Sequence, residues 1–248
     1  MSYYRFSTIR HTFHTLLVMS AMLSSTSVAA QPSRLGGWSS ITLTYKTSPR
    51  LSYYVEVQER SQGVAKDFFY HEVKGGLSYT LPEKFTAMIA TGDYHTYSNT
   101  GTFKNRLTRE FRVWQQLALT TKITPLRIDH RYRIEQRWLN GNYRNRFRYR
   151  FNPVLPLNHQ SIVARTLYLT MYDEVFFTNR SPYFERNRFF GGVGYQFSKL
   201  FAMQAGVILQ FDYRPIDDGV KKNFLHASLL FFLDKNSDFD ARQPNTLD

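Results

Sequence analysis

Arg144, Arg146, Arg148 and Arg150 recur at every second position. In an extended strand that spacing puts four guanidiniums on one face. Such a row can pair bidentately with carboxylates on neighbouring strands. It can also attract and pass anions, as rings of Arg and Lys do in anion-selective pores. The preceding segment carries Arg127, Asp129, Arg131, Arg133, Glu135 and Arg137, again two apart, while Glu110, Arg112, Glu174, Arg186 and Arg188 lie in other segments of the same kind. These residues form the candidate charge cluster, and Glu56, Arg60, Glu72, Lys74, Asp212 and Arg214 are expected on the same inward face. Arg144 to Arg150 carry the anion-attracting reading best, because their own strand holds no acid to neutralise them.

Histidine next to serine is the other candidate chemistry. A His and a Ser two residues apart share a strand face and can act as base and nucleophile. His226 and Ser228 have that spacing, but no acid lies near them in sequence. His95, Ser98 and Asn99 are loosely similar to the His-x-Ser-Asn cluster of outer-membrane lipid A deacylases, yet here His and Ser are three apart and fall on opposite faces of a regular strand. No catalytic residue, metal site or cofactor is therefore assigned, and a lipid-modifying enzyme stays as the alternative reading. The chain has no cysteine, which removes disulfides and thiolate ligands.

The N-terminus determines where these groups act. Residues 1–14 carry Arg5 and Arg10 and no acid, and they lead into apolar Leu16 to Leu23 and then Val28-Ala29-Ala30. Basic region, short apolar core and small residues make up a secretory signal peptide, expected to span 1–30. A membrane helix would need about 20 apolar residues, so this stretch is too short to be one. Cleavage there removes two arginines and no acid, lowering the formal charge from +13 to +11. Export excludes nucleic acid as partner of this basic chain. It leaves outer-membrane lipids and lipopolysaccharide, the barrel-assembly machinery that would insert the chain, and small anionic solutes.

The remainder reads as strands. In 126–138, Leu126, Ile128, Tyr132, Ile134 and Trp138 alternate with the charges. Asn140-Gly141 is a tight-turn dipeptide, and beyond it Tyr143, Phe147, Tyr149 and Phe151 alternate with the arginine row. A soluble sandwich would turn the apolar face inward. Its strands typically run about five or six residues, whereas a tilted membrane strand needs about 9–11. Long candidates fall near 38–46, 51–60, 67–80, 84–97, 107–121, 126–139, 142–152, 165–177, 184–197, 200–213 and 222–233. In the tenth, Phe201, Met203, Ala205, Val207, Leu209, Phe211 and Tyr213 would face lipid while Gln204, Gly206, Gln210, Asp212 and Arg214 face the lumen. Turns such as Thr47 to Arg50 and Thr124-Pro125 alternate with longer loops such as Tyr94 to Asn105, although Pro153 to His159 departs from that rule. Gly191, Gly192 and Gly194 lie within a strand, where glycine marks a bend or a close backbone approach.

Several strings taken together resemble the bacterial outer-membrane β-barrel family known as domain of unknown function 2490. They are Arg109 to Gln116, His130 to Trp138 with Arg146 to Arg150, Tyr172 to Phe177, and Asn187 to Phe197. The resemblance covers nearly all of the expected mature chain and implies an outer-membrane barrel without catalytic residues to carry over. The expected fold is all-β, a transmembrane antiparallel up-and-down β-barrel of 10–12 strands over 31–233, with a polar tail at 234–248. Eleven candidates sit uneasily with the even strand number usual for bacterial barrels. The expected function is an outer-membrane pore or binding barrel for anionic solutes with an Arg-rich lumen. A plugged structural barrel is the third reading.

Overall fold

Strict alternation of apolar and polar residues over long segments can satisfy one structure well, a sheet with two chemically different faces curled shut. The computed structural model, which describes residues 35–82, 85–98, 101–214 and 219–235, is such a sheet. The expected signal peptide at 1–30 and the tail from 236 onward lie outside the described residues. The strands are β1 Leu35–Lys46, β2 Leu51–Gly63, β3 Lys66–Thr80, β4 Phe85–Tyr97, β5 Arg106–Ile123 and β6 Leu126–Leu139. They continue with β7 Asn142–Pro156, β8 Thr166–Thr178, β9 Phe184–Gln196, β10 Phe201–Asp212 and β11 Val220–Asp234. Each corresponds to one of the segments expected from the alternation.

Consecutive strands pair antiparallel, and the barrel closes where β1 meets β11 in parallel. That closure refines the fully antiparallel expectation. Each hairpin reverses the chain, so the first and eleventh strands run the same way and can only meet in parallel. The seam pairs Trp38 with His226 and Ser40 with Ser228.

One end of the barrel carries the connections at 47–50, 81–84, 124–125, 157–165 and 197–200, and the other carries those at 64–65, 98–105, 140–141, 179–183 and 213–219. The connections at the first end are four residues or fewer with one exception, whereas the other end mixes two-residue turns with longer loops. Pro153 to Pro156 extend β7, and the nine residues after it form a loop whose Ile162 packs with Val154 and Tyr168 across the barrel end. At the opposite end Asn140 and Gly141 both take positive φ, 47° and 86°, as the tight turn requires.

The two faces separate cleanly. Ile41, Leu43, Val207, Leu209, Phe147 and Leu225 point outward and are exposed, whereas their neighbours Thr42, Ile208, Arg148 and His226 are buried. Outward rings gather near both strand ends. Phe111, Trp138 and Tyr143 form one such group, and Tyr195, Phe197, Phe201 and Phe231 form another at the opposite end. Inside, large rings fill the space between charges, among them Trp38, Trp114, Tyr168, Phe176 and Phe190, all almost fully buried. Tyr168 and Phe190 fit because glycine faces them. A Cβ on Gly194 would lie 2.1 Å from Tyr168 Cζ, and one on Gly192 would lie 2.7 Å from Phe190 Cζ. The close approach read from these glycines is thus a ring laid over bare backbone.

Candidate functional site

The interior charge is organised by the β6–β7–β8 registers. Those registers set Arg146 opposite Glu135, but also Arg148 opposite Arg133 and Arg150 opposite Arg131. Like charges directly opposite on a sheet repel, so this face needs acids from beyond the hairpin. Glu174 of β8 sits opposite Arg150 and supplies one.

Two carboxylates then hold the centre. Glu135 accepts from Arg146 Nε at 2.7 Å and Arg148 Nη1 at 2.7 Å, with Arg133 Nη1 at 3.6 Å. Glu174 accepts from Arg148 Nε at 2.9 Å and Nη2 at 3.0 Å, from Arg150 Nη2 at 2.8 Å and from Arg131 Nη2 at 2.5 Å. Arg188 Nη1 stands farther off, 3.7 Å from Glu174. Arg148 therefore clamps both carboxylates, and both glutamates are 0% exposed. The Phe176 ring receives the guanidiniums of Arg148, Arg188 and Arg146 at 4.6, 5.0 and 5.2 Å, a cation–π contact that dry surroundings strengthen.

Smaller groups flank this network. Glu110 pairs with Arg112 at 2.7 Å and with Arg137. Glu185 meets Arg137, Arg144 and Arg146 at 3.2, 3.4 and 3.3 Å. Lys74 lies between Glu56 and Glu72 at 2.5 and 2.7 Å, Arg127 pairs with Asp129 at 3.0 Å, and Arg186 pairs with Asp212. Arg60 lies 3.7 Å from Glu72.

The fifteen residues of the candidate cluster thus form linked groups on one face, with one correction to their chemistry. Arg146, Arg148 and Arg150 are not an uncompensated row. Their carboxylates arrive from β6, β8 and β9, which a reading along one strand cannot show. Arg214 also departs from expectation, since it lies past the end of β10 and is exposed.

Sequence reasoning missed the rings that space these charges, although the signal was present. Tyr172 and Phe176 flank Glu174 at two residues either side, and Phe190 follows Arg188 by two, all on the inward parity. It also missed Glu185, which lies near a register irregularity at Phe176/Phe177 where simple alternation fails.

The histidines divide. His95 faces outward, stacks on His71 with ring centroids 4.8 Å apart, and contacts Asp93 through Nε2 at 3.0 Å. Ser98 is turned away and donates to the Lys104 carbonyl at 3.0 Å, while Asn99 lies outside the described residues. His226 and Ser228 do meet, with Nε2 and Oγ 2.6 Å apart, and Ser40 Oγ lies 2.9 Å from Ser228 Oγ across the parallel seam. Among the described residues no carboxylate bonds His226, and no group of three His, Asp or Glu could hold a metal.

One family model matches residues 35–221, and its description is a protein of unknown function (DUF2490). No curated protein matches the chain.

Proposed function

From the premise that the chain belongs to the DUF2490 family, we propose that it spans the bacterial outer membrane as a barrel closed to solutes at rest. Two features support the location. Large apolar side chains stand exposed along the outward wall on every strand, more than a soluble monomer normally leaves in water. Aromatic groups lie toward both ends of that wall, where interfacial girdles belong. Outer-membrane lipids and lipopolysaccharide would contact this wall, and the barrel-assembly machinery would insert it.

The observation that carries the closed state is the ion-pair network around Glu135 and Glu174, which acts as a septum across the barrel. An anion-selective pore needs arginines that a hydrated anion can reach. Here Arg131, Arg133, Arg146, Arg148, Arg150 and Arg188 are buried, and all six contact Glu135 or Glu174. The Phe176 ring lies against three of these guanidiniums. Of the readings open at the sequence level, the arginines therefore favour a plugged or anion-holding interior over conduction. The lipid-enzyme reading keeps the Ser228–His226 pair, which is buried behind Trp38 and Phe224 and lacks an orienting acid.

Conductance in a planar bilayer tests the proposal. Refolded protein, its folding checked by heat-dependent gel mobility, is expected to give no discrete steps. Anion-preferring steps would overturn the closed state.

A further inference from the structure

The ion pairs of the interior do not balance. Among the described residues nine buried cationic side chains face six buried carboxylates, a formal surplus of three positive charges. The surplus gathers at the septum, because Lys74 is answered by Glu56 and Glu72 and Arg112 with Arg137 surrounds Glu110. Six guanidiniums share Glu135 and Glu174. Arginine keeps its proton in proteins, and an uncompensated buried charge is strongly destabilising. Water can satisfy a spare donor but cannot neutralise a charge.

Unused donors mark where the compensation belongs. Among the described residues, Arg150 Nε, Arg60 Nε, Tyr172 Oη and Trp38 Nε1 are buried without hydrogen-bond partners. They lie together. The Arg150 guanidinium is 3.9 Å from the Tyr172 ring centroid, and those of Arg60 and Arg188 are 3.5 and 4.7 Å from the Trp38 ring. Trp38 and Tyr172 belong to one packed cluster. The donors outnumber the carboxylates within reach, Glu72 at 3.7 Å from Arg60 and Glu174 at 2.8 Å from Arg150, and such a region with surplus positive charge is complementary to a multivalent oxyanion.

We infer that the barrel interior binds a phosphate-type oxyanion between Arg60, Arg150, Arg188, Tyr172 and Trp38. The inference rests on the closed-barrel reading, since an open, water-filled lumen would screen the surplus. The phosphate is either a free ion or the headgroup of a bound phospholipid.

The test uses the full chain refolded in non-ionic detergent without phosphate. Inorganic phosphate is expected to raise the midpoint of heat-dependent unfolding by a few degrees relative to chloride at equal ionic strength. Arg188→Gln removes one surplus charge, so its midpoint in chloride should match or exceed the parent's while the phosphate response shrinks. Equilibrium dialysis of radiolabelled phosphate against the parent gives a direct measure that does not depend on the variant folding. Saturable binding near one per barrel supports the site; equal midpoints in both salts with no saturable binding overturn it. Phosphorus analysis of barrels extracted from membranes separates the sources, a stoichiometric phospholipid indicating the headgroup and released inorganic phosphate the free ion. Silent bilayers without phosphate binding would remove the site and leave the closed barrel. Discrete anion steps would overturn the closed state and, with it, the surplus on which the site rests.

Discussion

The residues of the septum differ most in how little room they leave for error. Glu174 is fully buried and answers Arg131, Arg148 and Arg150 directly, with Arg188 nearby. Glu174→Gln keeps the shape and removes the charge, stranding those guanidiniums. Breaking a buried ion pair on one side costs about 3–5 kcal/mol, so urea unfolding followed by tryptophan fluorescence should show a large fall in midpoint. Lys222→Ala, which breaks the pair with Asp212 at 2.9 Å, removes a side chain that is 45% exposed. Solvent and salt screen such a pair, and the loss should stay under about 1 kcal/mol. Similar losses in both variants would mean the septum is no more desolvated than the rim. The arginines were legible in the sequence because period-two spacing is a property of one strand. Their partners were not, because neutralisation by Glu174 depends on a register between β7 and β8 that composition does not encode.

At the scale of the strand, legibility was high for a physical reason. A membrane-length strand with two opposite faces repeats its signal at each of a dozen positions, so errors at the ends matter little; β7 ran furthest beyond expectation, through Pro153 and Pro156, and β1 and β2 also ran past theirs. What remained hidden was how an interior crowded with long side chains could also admit rings. The glycines of β9 supply the answer, and two of them make a contrast within one strand. Gly194 faces inward beneath the Tyr168 ring, whereas a Cβ on Gly191 would meet only Phe189, at 3.5 Å, an ordinary contact. Gly194→Ala should therefore destabilise by about 1–3 kcal/mol through overpacking. Gly191→Ala should be near neutral or slightly stabilising, since glycine in a strand interior gives up backbone entropy. Adding Tyr168→Ala to Gly194→Ala should recover part of the loss if the ring is the obstacle. Denaturant midpoints of the single and double variants decide the matter, and the absence of any recovery would place the strain elsewhere.

For the whole molecule, the decisive feature is the parity of eleven. An even barrel brings both chain ends to one side and closes on an antiparallel pair; an odd one must close in parallel, and β1 then begins at the end where β11 also begins. The seam matters for the interior as well, because it alone brings Trp38 to His226 and Ser40 to Ser228. If β1 were instead displaced, with β2 meeting β11 to give ten strands, Trp38 would leave the cluster that holds Arg60 and Arg188, and the oxyanion site would lose one wall. Closure can be tested covalently, since the chain has no native cysteine to interfere. Ser39 and Ala227 are register partners that both point outward and are exposed. Adjacent strands lie about 4.7–4.9 Å apart, within the range of about 4.4–6.8 Å that a disulfide tolerates between Cα atoms. Ser39→Cys with Ala227→Cys should oxidise readily in the folded barrel and give a reducible shift in gel mobility. Ser39→Cys with Phe231→Cys, four residues out of register and so roughly 13 Å farther along the strand, should stay reduced. Cross-linking of the first pair and not the second requires a parallel seam in this register. Cross-linking of the second pair instead would keep the parallel closure but shift its register, and no cross-link in either would return the molecule to an even-stranded barrel.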